Sequence, residues 1–143
     1  MRNPRLVRAA LVLLLAPALA IGLTASFLPR TFYEDFPFLT NWVSLLPPYN
    51  EHLTTDVGGL YLGFAVLLGW AAWTLDRTLV RAVCSAWILT AGLHLIFHAG
   101  HLGGFGAADA VAEILTLALL LVPPALALWA SAPGAATPKP PRP

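Results

Sequence analysis

Charge is scarce in this chain. Only 10% of its 143 residues are Asp, Glu, Lys or Arg, against about 25% in soluble domains. Cysteine is nearly absent. One Cys excludes an intrachain disulfide framework and a cysteine-only metal site. An excess of either sign is also missing: eight Lys+Arg stand against seven Asp+Glu. That balance lacks the basic footprint of a nucleic-acid binder, so no nucleic-acid partner is expected. The 58% hydrophobic content excludes a disordered chain. What remains is a small integral membrane protein whose first partner is the lipid bilayer.

Long apolar runs are what the sequence does have. A bilayer core of ~30 Å takes ~20 apolar residues as a helix. Four stretches meet that length, at about 6–28, 53–75, 82–102 and 109–130. The expected fold is therefore all-α, a four-helix transmembrane bundle with antiparallel neighbouring helices, formed by residues 1–130. Pro123 and Pro124 remove backbone donors and predict a kink or local unwinding in the fourth span. Asp76 to Arg81 and Gly103 to Ala108 are short enough for helix hairpins. Residues 29–52 form a longer outer loop, too broken by proline to span. Its Phe32, Tyr33, Phe36, Phe38, Trp42 and Tyr49 suit a segment in the headgroup layer, across the outer mouth of the bundle. Residues 131–143, ending PKPPRP, read as a disordered cytoplasmic tail. Arg2, Arg5 and Arg8 before an apolar run, with Ala18-Leu19-Ala20 after it, also fit a cleaved signal peptide. The run continues to Leu28, which favours an uncleaved helix.

The basic residues are arranged asymmetrically. With the N-terminus in the cytoplasm, Arg2, Arg5, Arg8, Arg77, Arg81, Lys139 and Arg142 all lie inside, and only Arg30 lies outside. The positive-inside rule thus puts both termini of a multi-pass plasma-membrane protein in the cytoplasm. Trp70, Trp73, Trp87 and Trp129 then fall toward the inner ends of their spans, as in an interfacial belt. His52, His94, His98 and His101 fall in the outer half. So do all the acids except Asp76.

The outer polar residues form a candidate constellation. Side chains three, four and seven apart share a helix face. His94, His98 and His101 have that spacing on the third span. His52 and Asp56 are four apart at the start of the second, and Asp109 and Glu113 are four apart on the fourth. Ionisable groups within spans face a bundle interior or a wet cavity. The expectation is one outer polar pocket formed by His52, Asp56, His94, His98, His101, Asp109 and Glu113.

Three uses of that pocket compete. Imidazole and carboxylate ligate transition metals such as zinc, iron or copper, and His94, His98 and Glu113 could form such a set. No HExxH motif accompanies them. The same groups could relay protons, or hold a small polar or quinone-like ligand. The plainest use is mutual hydrogen bonding that locks helix packing. Bis-histidine haem ligation by His52 with His94 or His98 is disfavoured, because His52 sits at the membrane edge.

Lesser features have simpler readings. Gly59-x3-Gly63 lets another helix approach, first of all within the bundle. Asp56, one turn away, could press against a neighbour. Cys84 reads as an inert small apolar residue. Tyr61 could point its hydroxyl at the pocket. Arg30 lies beside Glu34 and Asp35, which suggests a local ion pair or a site for an anionic headgroup.

The segments PRTFYEDFP, LPPYNEHLTTDVGGLYLG and HLIFHAGHLGG together resemble a group of small multi-pass membrane proteins of actinobacteria, loosely similar to DoxX-like proteins. The most specific part runs from Pro48 through Tyr49, Asn50, Glu51 and His52 into Asp56 and Gly58-Gly59. The resemblance implies a four-helix fold and a membrane location. DoxX-like relatives are linked to quinone-coupled redox work, but no motif here carries that activity over. Three functions follow: a structural or accessory membrane protein, a metal-dependent or redox membrane enzyme, or a subunit of a small-solute or proton transporter. The small size also suits a homo-oligomer or a subunit of a membrane complex.

Overall fold

The computed structural model describes residues 1–38, 40–46 and 48–133. Those residues form helices, turns and loops, with no strand among them. Helix α1 covers Pro4–Phe27, α2 Pro29–Asp35, α3 Glu51–Thr74, α4 Arg77–Ala99, α5 Ala107–Leu119 and α6 Val122–Ser131. Counting α5 and α6 together, four helical stretches among the described residues are long and apolar enough to cross a membrane, with mean hydropathies of 2.3, 1.5, 1.7 and 2.2. The chain is an integral membrane protein with four candidate spans. Large apolar side chains face outward all round, among them Leu13, Phe27, Trp73, Leu93 and Ile96. Lipid can solvate such a surface and water cannot.

Local signals set the helix ends. Asn3, Asn50 and Asp76 cap α1, α3 and α4, each accepting a bond from the backbone N–H three residues on. Pro29 disfavours helical backbone at Leu28, so α1 stops at Phe27 and α2 restarts with Pro29 at its first position. The break in the fourth span falls at Leu120-Leu121, just before the proline pair. A regular helix would bond the N–H of residue 124 to the Leu120 carbonyl. Pro124 has no N–H. Trp87 Nε1 of α4 donates to that carbonyl instead, at 3.2 Å. The expected interruption is present as a local unwinding, and a neighbouring helix satisfies the acceptor it leaves free.

The spans pack in a closed square. α1 lies against α3 and α6, and α4 lies against α3 and the fourth span. Each neighbouring pair is antiparallel. Arg8 Nε, near the start of α1, donates to Ala72 O near the end of α3 at 2.9 Å, where helix-end carbonyls favour a cation. The backbone N–H of Arg2 donates to Ala130 O at 2.9 Å, which ties the chain start to the end of α6.

The tightest contact is between α1 and α3. A Cβ on Gly58 would collide with the Ser26 backbone nitrogen and lie 2.8 Å from Ala25 C. A Cβ on Gly22 would lie 2.9 Å from Leu62 Cδ2. Gly59 and Gly63 have open space instead. The close approach therefore belongs to Gly22 and Gly58, and the Gly59-x3-Gly63 pair expected to make it faces outward. The reason is rotational: neighbouring helical residues point ~100° apart, so only one of Gly58 and Gly59 can face α1.

The dry core sits in the half of the bundle near the termini. Val7, Leu11, Leu14 and Ala18 of α1 meet Leu68 and Ala72 of α3, Val80, Cys84 and Trp87 of α4, and Ala127 and Ala130 of α6. Trp87 is thus a core residue, 3% exposed, and is not part of an interfacial belt. Cys84 is fully buried, in keeping with an inert apolar role. Ser131, where a disordered tail was expected to begin, is buried and ends α6. Residues 134–143 of that tail lie outside the described residues.

Candidate functional site

The other half of the bundle, away from the termini, is hollow. α1 packs along α6 but makes no comparable contact with α5. The break at Leu120-Leu121 therefore leaves a gap between α1 and α5. A cavity of about 390 Å³ occupies this end. Pro17 and Ile21 of α1 form one wall, and Thr54, Val57 and Tyr61 of α3 form another. His94 and His98 of α4 face Glu113, Thr116, Leu117 and Leu120 of the fourth span. The segment after α1 roofs the space with Phe32, Phe36, Pro37, Trp42, Val43 and Leu46. The expected loop across the mouth is present, though residues 39 and 47 lie outside the described ones.

Aromatic contacts hold the roof together. Phe32 packs on Phe36 at 4.7 Å between centroids, and Tyr33 on Tyr49 at 5.3 Å. Arg30 pairs with Glu34 at 2.8 Å and lies over the Tyr49 ring. That is the local ion pair the sequence suggests. The roof is fastened to α5 by Trp42, whose Nε1 donates to Asp109 at 3.2 Å. Nearby, the carbonyl of Leu45 comes so close to Gly104 that a Cβ there would lie 3.2 Å from it. Beneath the cavity, Trp87 stacks edge-on against Tyr61 and Phe64, at 5.9 and 5.4 Å. This aromatic floor separates the cavity from the dry core.

At the polar centre of the cavity, Nδ1 of His98 lies 2.5 Å from Oε1 of Glu113, and the side chains are only 9% and 4% exposed. The approach is close, yet Nδ1 lacks the alignment of a hydrogen bond, and Oε2 of Glu113 has no partner among the described residues. Glu113 is the only buried residue of α5. It lies six residues into α5, or about 9 Å from the helix start at ~1.5 Å per residue. His94 stands one turn from His98, with ring centroids 4.3 Å apart, and is open to the cavity.

The seven residues expected to share one pocket separate into groups. His94, His98 and Glu113 line the cavity. Asp109 lies at its rim, bonded to Trp42. His52 and Asp56 pair with each other at 3.4 Å, with side chains 87% and 57% exposed. They point away because Gly58 must face α1, and a residue two positions earlier in a helix points ~200° away. Asp56 therefore presses on no neighbouring helix. His101 lies beyond the end of α4, which stops at Ala99. Its ring stacks on Phe97 at 4.0 Å and its Nδ1 meets Phe97 O at 2.7 Å. The histidines thus form no single cluster. Among the described residues no group of three or more His, Cys, Asp or Glu side chains is placed to hold a metal ion, the set His94, His98 and Glu113 included.

Several cavity residues carry no signal in the titratable residues alone. Thr116 is three positions after Glu113 on the same face of α5, so extending that stripe would have found it. Thr54 and Tyr61 are seven apart on α3, on the side of the helix opposite His52 and Asp56. Trp42 and the phenylalanines of the roof carry no periodic signal.

No protein-family model, no curated protein and no solved structure matches this chain. The likeness to DoxX-like proteins therefore has no support from these comparisons. What stands is a small multi-pass membrane protein.

Proposed function

We propose that this protein binds a small, mostly apolar molecule in the hollow end of its bundle, with the molecule's polar end at His98 and Glu113. One observation carries the reading: a buried carboxyl with an unpartnered oxygen lies in the wall of a mostly apolar cavity. The volume of about 390 Å³ lies in the range of small-molecule sites, ~300–1,000 Å³. Leaving a buried acceptor unpaired is costly, so such an atom calls for a partner. The basic residues near the termini support cytoplasmic termini, which put the cavity on the outer side of the plasma membrane. In intact cells an impermeant maleimide should then label a cysteine at position 49 and miss one at position 76. The opposite pattern reverses the orientation.

A second reading has its own support. The same pair joins α4 to α5, where helix contacts are few, so it could serve purely as a structural lock for an accessory protein. Transport finds less support, because the Tyr61–Phe64–Trp87 floor and the dry core close the route toward the termini.

Photolabelling separates the first two. Purified protein in lipid nanodiscs is irradiated with twelve-carbon amphiphiles that carry a diazirine, and the labelled peptides are mapped. Binding predicts label on residues 17–21 and 113–120, and predicts that Leu117→Trp, which fills the cavity, removes it. Label confined to the outer helix surfaces leaves the structural lock as the function.

A further inference from the structure

The chemistry of the cavity wall restricts its occupant further, on the premise that the cavity binds a ligand. We infer that the site selects an uncharged single-chain amphiphile whose head donates a hydrogen bond, a hydroxyl-headed lipid, with its tail leaving between α1 and α5 into the bilayer.

The first argument is charge. His98 and Glu113 sum to zero whichever of them holds the proton, so the pair is already compensated. Among the described residues no Lys or Arg lines the cavity. An anionic head would leave a net negative charge, because the charges of the pair already cancel. An ammonium head would leave a net positive charge in an apolar enclosure. Either adds an uncompensated charge to a mostly apolar cavity. A neutral head adds none.

The second argument is the direction of the hydrogen bond. Oε2 of Glu113 has no partner among the described residues, in a side chain 96% buried. With the pair's proton on His98 or on Oε1, Oε2 is a bare oxygen and accepts. A head that donates satisfies it. A head that only accepts leaves it unpaired.

The third argument is shape. At roughly 30 Å³ per water-sized group at liquid density, the cavity holds about a dozen non-hydrogen atoms. That is one short chain, or the head and first part of a longer one, and not a two-chain lipid. The side left open by the break at Leu120-Leu121 lies between Ile21 of α1 and Leu117 of α5, both apolar and both at span depth. A tail passing there stays in hydrocarbon throughout. The aromatic roof and its Trp42–Asp109 bond cover the other way out.

The test uses the full-length protein in nanodiscs and one tail with four heads: dodecanol, dodecyl methyl ether, dodecanoate and dodecylammonium, each competing against the diazirine-bearing alcohol. Dodecanol should displace the label about tenfold or more better than the ether or either ion. A diazirine near the hydroxyl should mark α4 around His94, and one at the tail end should mark α1 around Ile21 and α5 around Leu117. Glu113→Gln keeps the shape and adds a donor, so it should narrow the gap between alcohol and ether while the protein stays folded. Equal displacement by all four heads refutes the head-group selection and leaves the binding reading intact. A tail-end label on the roof in place of α1 and α5 refutes the lateral path. Absence of cavity label with every probe defeats the binding reading itself.

Discussion

Two adjacent glycines of α3 should respond to the same substitution with opposite signs. In Gly58→Ala the new methyl group meets the Ser26 backbone nitrogen, with Ala25 C at 2.8 Å and Ser26 Oγ at 2.5 Å. A hydroxyl can rotate away, but backbone atoms bonded into the last turn of α1 cannot. The two helices must separate along the most extensive contact in the bundle. Overpacking of this kind costs about 1–3 kcal/mol, and backbone obstruction puts Gly58 at the upper end. Alanine returns about 0.8–1.0 kcal/mol of helix propensity. The net expectation is a loss of about 2 kcal/mol. In Gly59→Ala nothing lies within 4 Å of the new methyl group, so only the propensity gain remains, up to about 1 kcal/mol. The two variants should therefore differ by about 2–3 kcal/mol. Unfolding by SDS titration in mixed micelles, followed by helical circular dichroism, reads that difference. If both variants are stabilised alike, α1 and α3 do not meet at Gly58, and the explanation for the outward turn of His52 and Asp56 fails with it.

Removing one member of the buried pair, as His98→Leu or Glu113→Leu, should cost about 3–5 kcal/mol, because the remaining group is stranded. The double variant should lie closer to the unsubstituted protein than either single one, and a cost equal to the sum of the two would show that the groups do not interact in the fold. Trp87→Phe keeps the packing on Tyr61 and Phe64 but loses the bond to Leu120 O, so it should cost about 1 kcal/mol in the same unfolding assay. In a Pro124→Ala background a backbone N–H can take that carbonyl and the cost should vanish; an unchanged cost would mean that the indole does not stand in for the missing donor.

The candidate site was only partly legible before folding. The i, i+4 spacing put Asp109 and Glu113 on one side of α5, yet only Glu113 lines the cavity and Asp109 stays exposed at its rim, while His94 and His98 share a side of α4 that lines it. Periodicity reports which residues share a face, but not where that face points. His52 and Asp56 have the same spacing and share a face too, and it turns outward. For His101 the helix pattern was carried past its end: Gly100 ends α4, and the ring settles on Phe97. The apolar character of the cavity was hidden because the roof comes from an irregular segment with no repeating period.

Hydropathy and length were enough to establish four apolar helices, since a backbone in hydrocarbon must satisfy its own hydrogen bonds and a helix does so within one segment. The proline pair was enough to place a break in the fourth span, since the missing N–H groups are a covalent fact. Which polar groups meet was decided only when the helices packed. The rotation of α3 depends on a glycine that admits the backbone of α1, and the hollow depends on where the fourth span bends away from α1. Both are properties of two helices in contact, and no single stretch of sequence contains them.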